Sequence, residues 1–582
     1  MLKKIVTGLA LFSCLCLLTG CGQNTTEISD TGLGSTRQAE TENAPDSPRK
    51  EQNDTEMDIT ITEYVDAMSP GWNLGNSLDA TGGETSWGNP AITRELISAV
   101  RESGYNSIRV PVTWDKYIDG EYNIDPLYMQ RVREVVDWCL DEGFYVMINL
   151  HHDSWNWINT YDKDKTVMDK FTSVWTQIAE EFKDHSLRLM FESINEPYFD
   201  SGDEQTMLDE MNIKFVETIR ASGGKNGRRP LVLPALNTSA ETDKCSALMN
   251  MIRQLGDPNI IATVHYYAPW TFSVNIAGSY KFDDSVAMEI KNAFDICYDE
   301  LVSKGVPVVV GEYGVLGTVE TGEYYKYINY LNEVTRGRCI TLMKWDNGGG
   351  FDRRSYKWRD EYEQALTISC TVSTSSYTEQ DMLFVTDETS DITQQLYLNG
   401  NSLTAVKCGD FLLAEGSDYT ADDVSVTFRG DFLKRFAEGD YGKKAEITLS
   451  FSEGTDWHIA VYHSADALYG TISSRTQGMR IPVQFNGNIV TTLEAVDPET
   501  GAGVGPHDWT TYKEFNYAFT VNYESGFITP TKEFKKEFKG DSVLFRIHYA
   551  DGKVDEYIMD IADGIVSGTP QGAEPTFEVS DI

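Results

Sequence analysis

The chain has 582 residues, of which 41% are hydrophobic and 12% aromatic, so it has enough apolar side chains for several folded domains. Its 90 acidic residues outnumber 49 basic ones and give a formal net charge of −41 at pH 7. Such a charge repels phosphate groups, which argues against a nucleic-acid partner and against adhesion to anionic lipid. A neutral polymer such as a polysaccharide stays open as a partner.

The N-terminus has the pattern of an export signal. Lys3 and Lys4 precede an apolar run over 5–18, which is shorter than the roughly 20 apolar residues of a membrane span. The run ends in Leu18-Thr19-Gly20-Cys21, which resembles a bacterial lipobox. The sequence therefore predicts a lipoprotein signal peptide at 1–21, lipidation of Cys21, and an extracellular protein held at the cell-surface membrane. An ordinary cleaved signal is the alternative.

The rest of the chain divides by composition and periodicity. Residues 22–57 contain almost no large apolar side chain and predict a disordered tether. Residues 58–368 alternate short apolar runs with amphipathic segments and predict one α/β domain. Beyond it, turn residues recur at the spacing of β-sandwiches. We expect two all-β sandwich modules at 369–456 and 457–570, and a tail at 571–582.

The α/β region is predicted to be a (β/α)8 TIM barrel. The eight predicted strands are Gly71–Leu74, Ser107–Val112, Tyr145–Leu150, Leu187–Ile194, Pro230–Pro234, Ile260–His265, Val306–Glu312 and Ile340–Trp345. Eight strands separated by helices over about 310 residues suit such a barrel. A doubly wound open sheet is the alternative, but no glycine-rich phosphate loop follows an early strand.

The cysteines beyond the signal are scattered and form no CxxC pair. They are Cys139, Cys245, Cys297, Cys339, Cys370 and Cys408. This pattern indicates neither a zinc site nor a dense disulfide framework. We expect buried thiols, with a single disulfide as the alternative.

Two predicted strands end in a glutamate. Strand four ends in Asn195-Glu196-Pro197, and strand seven ends in Gly311-Glu312-Tyr313-Gly314. Polar residues at the C-terminal ends of barrel strands face the active site. Two carboxylates facing one another can cleave a glycosidic bond, because one protonates the leaving oxygen while the other attacks or activates water. Either glutamate alone would more simply be a solvated loop charge.

Arg109 is a charge inside the apolar strand Ile108-Arg109-Val110. An unpaired arginine there would be costly, so it needs a carboxylate partner, for which Glu312 is the candidate. An arginine partner favours the ionised carboxylate, which is the form that a nucleophile requires.

Other strand ends supply polar and aromatic candidates. His151 and His152 follow strand three, and His265 and Tyr267 follow strand six, while Asn195 could bind a sugar hydroxyl and Trp345 a pyranose face. A metal site on His151, His152 and Asp153 is conceivable. We expect no metal there and no other cofactor, because adjacent histidines on an extended chain point in opposite directions.

These motifs together resemble glycoside hydrolase family 5, and more narrowly its subfamily 4 of cellulases and xyloglucanases. They are Gly71-Trp72-Asn73-Leu74-Gly75-Asn76, Arg109, His151-His152, Asn195-Glu196-Pro197, His265-Tyr266-Tyr267, Gly311-Glu312-Tyr313-Gly314 and Trp345. The resemblance implies a retaining mechanism with Glu196 as acid/base and Glu312 as nucleophile. It also implies supporting roles for Asn76, Arg109, His151, His152, Asn195, His265, Tyr267 and Trp345.

A retaining mechanism makes two physical demands on this pair. The carboxyl groups should lie about 5–5.5 Å apart. The pKa of Glu196 should be raised by the negative charge of Glu312, because Glu196 must be protonated when the leaving group departs.

Aromatic residues suggest how a sugar chain is held. Trp270 fits the family's pattern of a subsite platform, while Trp155 and Trp157 could equally cap the barrel core. The segment 396–420 resembles the Ig-like X2 modules of cellulases, and 481–517 resembles carbohydrate-binding module family 46. Trp509 and Tyr512 are its candidate glycan contacts, with a buried structural role as the alternative.

The sequence thus predicts a monomeric, lipid-anchored endo-β-1,4-glucanase acting on a plant-cell-wall β-glucan of the cellulose or xyloglucan type. A mixed-linkage glucanase, mannanase or xylanase on the same scaffold is the first alternative, because loops set the substrate. A non-catalytic surface glycan-binding protein is an alternative of another class.

Overall fold

The computed structural model describes residues 59–161, 165–475 and 478–580. The predicted signal peptide, the tether at 22–57, the lipidation site Cys21 and the last two residues of the predicted tail lie outside this part of the chain. Within the described residues, no helix is both long and apolar enough to cross a membrane.

The first domain is a closed barrel of eight parallel strands. They are β1 Gly71–Asn73, β2 Ser107–Val110, β3 Tyr145–Asn149, β4 Leu189–Glu192, β5 Leu231–Pro234, β6 Ile260–Tyr266, β7 Val308–Tyr313 and β8 Ile340–Lys344. Each strand pairs with the next, and β8 closes the barrel on β1. The predicted TIM barrel is therefore confirmed, and each of its strands overlaps a predicted one.

Helices surround the barrel, and all but the first follow a barrel strand in the chain. They are α1 Ile61–Ala67, α2 Arg94–Glu102, α3 Pro126–Asp141, α4 Asp153–Asn156, α5 Lys165–Phe182, α6 Glu204–Ala221, α7 Thr242–Leu255, α8 Trp270–Ser273, α9 Asp284–Glu300, α10 Thr321–Thr335 and α11 Glu361–Ser369. Local sequence sets where they begin. Asp125 caps α3 by accepting from the N–H of Leu127, and Pro126 at the first position has no N–H to leave unpaired.

Helix α1 closes the N-terminal end of the barrel. Its Tyr64 and Val65 are fully buried against inward-facing side chains of six strands, such as Met147 and Met343. The Tyr64 hydroxyl also donates to the carbonyl of Leu187 at 2.9 Å. Because this end is packed, the opposite end, where the strands terminate, is the one available for a site.

The second domain is a sandwich of a four-stranded and a five-stranded sheet, as predicted. Its elements are β11 Tyr377–Thr378, β12 Met382–Val385, β13 Ile392–Tyr397, β14 Leu403–Cys408, β15 Phe411–Leu412, β16 Tyr419–Ala421, β17 Ser425–Phe428, α12 Gly430–Leu433, β18 Gly442–Phe451 and β19 Trp457–His463; a small hairpin, β9 Phe351–Asp352 and β10 Lys357–Trp358, precedes them. The expected boundary at 456/457 is wrong, because β19 pairs with β18 and β12. The turn around Gly454, just before that boundary, is the tip of the hairpin that joins β18 to β19.

The third domain is also all-β. Its elements are β20 Leu468–Arg475, β21 Ile481–Gln484, β22 Val490–Val496, β23 Tyr512–Lys513, β24 Phe519–Asn522, β25 Phe527–Pro530, α13 Lys532–Glu537, β26 Ser542–Tyr549, β27 Val554–Ala562, β28 Ile565–Gln571 and β29 Phe577–Ser580. Strand β20 pairs with β21 through its first residues and with β28 through its later ones, so it links the two parts of the sheet.

The expectation of a tail at 571–582 is wrong for its described part. Strand β29 pairs in parallel with β20 and places Phe577 against Gly470. A Cβ atom at Gly470 would lie 2.5 Å from the Phe577 ring, so the pairing depends on a glycine at that position. The third domain therefore extends to at least Ser580.

The six cysteines named above are all free thiols. Four are buried, while Cys339 and Cys408 are half-buried. This agrees with the expectation of buried thiols rather than a disulfide framework.

Candidate active site

Polar side chains at the C-terminal ends of the strands converge on Arg109 of β2, which is fully buried. Its Nε donates to Oε2 of Glu192 at 2.9 Å, and its Nη1 donates to Oε1 of Glu312 at 2.7 Å. Nη1 also donates to Oδ1 of Asn73 at 3.0 Å, and Nη2 to Oδ1 of Asn195 at 2.7 Å. The expected pair between Arg109 and Glu312 is present.

Sequence reasoning missed the second carboxylate of Arg109. Glu192 ends β4, is fully buried, and also accepts from Nδ2 of Asn149 at 2.7 Å. Burial alone would lower the pKa of Arg109, but the charges of Glu192 and Glu312 outweigh it and raise that pKa. The signal was available, because a carboxylate inside an apolar strand needs a partner for the same reason as an arginine does.

Glu312 is held from two sides. Arg109 donates to its Oε1, and the Tyr267 hydroxyl donates to its Oε2 at 2.8 Å. The register between β6 and β7 shifts at His265, so that His265 lies opposite Glu312. A Cβ atom at Gly311 would lie 3.0 Å from Nε2 of His265, so the missing side chain of Gly311 leaves room for this close approach.

Glu196 follows β4 and its side chain is 35% exposed, so it remains open to a ligand. Its Oε1 lies 2.9 Å from Nδ1 of His265. The same Nδ1 lies 3.6 Å from Oε2 of Glu312. One imidazole therefore links the two glutamates.

The electrostatics of this link differ from the expectation. Burial raises the pKa of Glu196, but the hydrogen bond and charge of His265 outweigh it and bring that pKa below its usual 4.5. Burial lowers the pKa of His265, but the charge of Glu312 and the bond to Glu196 raise it above its usual 6.5. The expected raised pKa of Glu196 is thus wrong for the structure as it stands, because the expectation left out a cation beside it.

His151 and His152 lie on the other side of the site. The His151 ring is parallel to the Trp345 ring at 5.8 Å, and its Nδ1 lies 3.1 Å from Nδ2 of Asn149. Burial, followed by the nearby His152 and Arg109, holds the pKa of His151 well below its usual value. A neutral imidazole beside an aromatic ring can accept or donate one hydrogen bond to a sugar hydroxyl.

The argument that the two histidines point apart is wrong. Their ring centroids are 4.4 Å apart, because the chain leaves β3 at Asn149 and turns into α4 at Asp153. Asp153 itself accepts from the backbone N–H of Trp114 at 2.9 Å. Burial raises the pKa of Asp153 to about 6.

Two groups in the described residues could each offer a metal ion three ligand atoms within 4.8 Å of one another. They are Asp79, His151 and His152, and Glu196, His265 and Glu312. In the second group the same closeness places an oxygen of Glu196 within 4.8 Å of an oxygen of Glu312.

The remaining candidates at the barrel mouth have structural contacts. Asn76 has a left-handed backbone, and its N–H donates to Oδ2 of Asp79 at 2.9 Å. A Cβ atom at Gly75 would lie 2.7 Å from the Trp345 ring, so that glycine lets the indole lie close to β1. Trp157 is buried, whereas Trp155 stacks on His152 at 4.0 Å. Of these two tryptophans, only Trp155 lies beside the site.

The third domain brings its own aromatic residues to the barrel. Trp270 begins α8, and its ring lies 6.4 Å from that of Trp509 and 5.9 Å from that of His507. Trp509 is 58% exposed. Tyr512 instead packs on the barrel, since a Cβ atom at Gly278 would lie 3.4 Å from its ring. The two predicted glycan contacts therefore differ in position: Trp509 is exposed beside Trp270, whereas Tyr512 is packed against the barrel.

Polar contacts hold the third domain against the barrel. Asn275 Nδ2 donates to the carbonyl of Thr491 at 3.0 Å, and Asn516 Nδ2 donates to Oγ1 of Thr318 at 2.6 Å. The position of Trp509 beside Trp270 therefore belongs to an interface with several contacts.

Three family models match successive parts of the chain. The model described as cellulase (glycosyl hydrolase family 5) matches residues 73–350. The model of carbohydrate binding domain X2 matches residues 377–461, and a carbohydrate binding domain of family 46 matches residues 469–569.

Known proteins resemble the chain over most of its length. Endoglucanase B of Paenibacillus lautus is 40% identical over 529 residues, which span 88% of this chain and 93% of that protein. The full-length tri-modular endo-β-1,4-glucanase B of Bacillus halodurans has 39% identity and a TM-score of 0.86, over 88% of this chain and 99% of that one. A tri-modular subfamily 4 endo-β-1,4-glucanase of Bacillus licheniformis complexed with cellotetraose has 30% identity and a TM-score of 0.77, over 90% of this chain and 100% of that one. With the barrel, its paired glutamates and these matches in agreement, the chain belongs to glycoside hydrolase family 5.

Proposed function

We propose that this protein is an endo-β-1,4-glucanase that hydrolyses cellulose-type or xyloglucan-type β-glucans with retention of configuration. Glu312 is the nucleophile and Glu196 the acid/base. The observation that carries the proposal is the approach of their oxygen atoms to within 4.8 Å. Inverting enzymes separate the two carboxyl groups by about 6.5–9.5 Å to admit water, while retaining enzymes need only about 5–5.5 Å.

In the first step, an oxygen of Glu312 forms an ester bond to the anomeric carbon as the glycosidic bond breaks. Glu196 gives its proton to the departing oxygen. In the second step, water loses a proton to Glu196 and attacks the anomeric carbon, which releases Glu312 as a carboxylate. Arg109 and Tyr267 each donate to one oxygen of Glu312, so they fix the orientation of the attacking group.

His265 supplies a route for the proton that Glu196 needs. Its Nδ1 and Oε1 of Glu196 are 2.9 Å apart, a distance at which one proton can move between them. The charge of Glu312 is the largest effect that raises the pKa of His265. The proton that His265 gives to Glu196 passes on to the departing oxygen. Because Glu312 is then esterified and uncharged, the imidazole stays neutral, and the Glu196 carboxylate takes its next proton from the attacking water.

The substrate class rests on the relatives and on the aromatic surfaces. The relatives named above are endoglucanases, and the Bacillus licheniformis enzyme is complexed with cellotetraose. Trp345 lies parallel to His151 at the barrel mouth, and Trp270 and Trp509 form a second pair of rings across the domain interface. Flat apolar rings suit the faces of a neutral β-glucan chain, and Trp509 is proposed as a glycan contact on this ground. Tyr512 is proposed to hold the domain in place instead.

Reducing-sugar release tests the activity. Wild-type protein should release sugar from carboxymethylcellulose, xyloglucan or lichenan faster than from mannan or xylan. Glu312→Ala should be inactive on all five, and faster hydrolysis of xylan or mannan would contradict the proposed substrate. Proton NMR of the first product should show the β-anomer, whereas the α-anomer would overturn the double displacement.

We also propose that a lipid on Cys21 anchors the protein at the outer surface, because the lipobox-like motif follows an export signal. The anchored protein is proposed to be a monomer. Replacing Cys21 by Ser should move the protein from the membrane fraction to the medium. An unchanged membrane fraction would contradict the anchor, and a dimer mass in light scattering would contradict the monomer.

A further inference from the structure

A lysine is fully buried behind the loop that carries Trp509. Lys513 lies in β23, and its Nζ donates to three backbone carbonyls: Pro506 at 3.1 Å, His507 at 3.3 Å and Thr510 at 2.7 Å. Among the described residues, no carboxylate lies within 4.0 Å of this ammonium group. Burying a charge is costly unless hydrogen bonds replace water, and three carbonyls match its three N–H donors.

The three carbonyls belong to one loop, residues 503–511, which we call the tryptophan loop. The loop folds tightly, since a Cβ atom at Gly503 would lie 2.3 Å from the carbonyl oxygen of Thr510. His507 has a left-handed backbone with φ of 53°. The N–H of Thr510 donates to the carbonyl of His507 at 3.1 Å. Lys513 therefore connects both ends of this turn from the inside.

The outer side of the same loop faces the barrel. The His507 ring lies 5.9 Å from Trp270, and the exposed Trp509 ring lies 6.4 Å from it. The carbonyls of Pro506, His507 and Thr510 flank Trp509 in the chain. The ammonium group that binds these carbonyls therefore also fixes the position of the indole ring.

We propose that Lys513 is a positioning residue whose ammonium group holds the tryptophan loop so that Trp509 and Trp270 receive the same segment of a polysaccharide chain. This inference rests on the proposed function, because it requires Trp509 to touch the substrate. Lys513 itself does not contact the substrate. It orders a binding surface that two domains form together.

The experiment combines Lys513→Met with Trp509→Ala. Methionine is unbranched and nearly as long as lysine but cannot donate. It leaves the carbonyls of Pro506 and Thr510 without their donor, so the loop should open to solvate them. We expect the KM for soluble β-glucan to rise about fivefold in Lys513→Met while kcat stays within about twofold. The double variant should have the KM of Trp509→Ala alone, since Lys513 acts through that ring.

Two further variants guard against a general loss of folding. Lys513→Gln restores two of the three donors and should recover part of the affinity. Lys536→Met removes an exposed lysine of the same domain and should match wild type. An unchanged KM in Lys513→Met, or additive effects in the double variant, would overturn the inference.

Hydrogen exchange of the amides at 507–512 tests the same point without any activity. Exchange should be faster in Lys513→Met than in wild type and Lys536→Met, and equal rates would overturn the inference. If wild type hydrolyses no β-glucan, the proposed function fails, and the exchange rates still decide whether Lys513 orders the loop.

Discussion

Nδ1 of His265 lies 2.9 Å from Oε1 of Glu196, so the proposed acid/base is paired with a histidine from another strand. This pairing sets the direction of both pKa values, downward for Glu196 and upward for His265. The two groups therefore favour the glutamate–imidazolium form in the structure. Proton delivery to the substrate requires that preference to be reversed when a ligand binds.

The ion pair should stabilise the barrel in a limited range of pH. A carboxyl group with a lowered pKa contributes stability above its unfolded value of about 4.5 and loses it as the pH falls through the folded value. A histidine with a raised pKa contributes stability below about 6.5 and loses it as the pH rises through the folded value. His265→Asn should therefore lower the thermal midpoint of the barrel most between about pH 4.5 and 6.5.

The packing of the imidazole contributes equally at every pH, so the change in the effect with pH is the quantity to measure. In a Glu196→Gln background, the effect of His265→Asn should lose most of its pH dependence on the acid side. An equal lowering of the midpoint at about pH 3, 5.5 and 9 in the wild-type background would contradict the ion pair.

Substitutions of the two carboxylates that bind Arg109 should have different effects, on stability for Glu192 and on turnover for Glu312. Glu192→Ala breaks a fully buried ion pair and should lower the free energy of unfolding by about 3–5 kcal/mol, because it leaves Nε of Arg109 and Nδ2 of Asn149 buried without their acceptor. Glu312→Gln keeps an acceptor for Arg109 and should change stability much less, while kcat falls by about a thousandfold or more. Urea unfolding and steady-state rates measure both. An active Glu312→Gln enzyme would contradict the nucleophile assignment.

The sequence predicted the barrel well, because each parallel strand is buried on both faces and reads as a short apolar run. It predicted domain ends less well. The turn around Gly454 looks the same whether it separates two domains or joins β18 to β19, and only the pairing decides. Strand β29 depends on Phe577 reaching Gly470, a contact between residues far apart in the chain.

The site followed the same pattern. Arg109, Glu196 and Glu312 could be predicted from the sequence, because a charge in or directly after an apolar strand is costly unless it is paired or functional. The link through His265 could not be predicted, because it requires the register shift between β6 and β7 that brings His265 opposite Glu312. The approach of Trp509 to Trp270 depends on how two domains meet, which no local pattern encodes.

Gly311→Ala should reduce turnover without unfolding the barrel. The added methyl group would lie 3.0 Å from both Nε2 of His265 and Oγ1 of Thr263, which is tighter than ordinary contact. The imidazole must then shift by a few tenths of an ångström, which changes its contact with Glu196. Small displacements of reacting groups are costly, so we expect kcat to fall about tenfold or more. Retained melting temperature with lower kcat would fit this cause, whereas wild-type turnover would exclude it.

Alanine substitutions of the two predicted glycan contacts in the third domain should have different effects. Tyr512 packs on the barrel at Gly278, so Tyr512→Ala should loosen the interface. Truncating a packed interface tyrosine typically costs about 1–2 kcal/mol. Amide exchange at residues 275–280 of the barrel should therefore become faster. Trp509 is 58% exposed, so Trp509→Ala should leave that exchange unchanged and raise the KM for soluble β-glucan instead.

Tyr512→Phe is the matched control, because it keeps the ring against Gly278 and removes only the hydroxyl. It should behave as wild type in both measurements. If Tyr512→Ala raised the KM without any change in exchange, Tyr512 would be a direct glycan contact. If Trp509→Ala accelerated exchange at residues 275–280, its ring would belong to the packed interface rather than to the surface that receives the sugar chain.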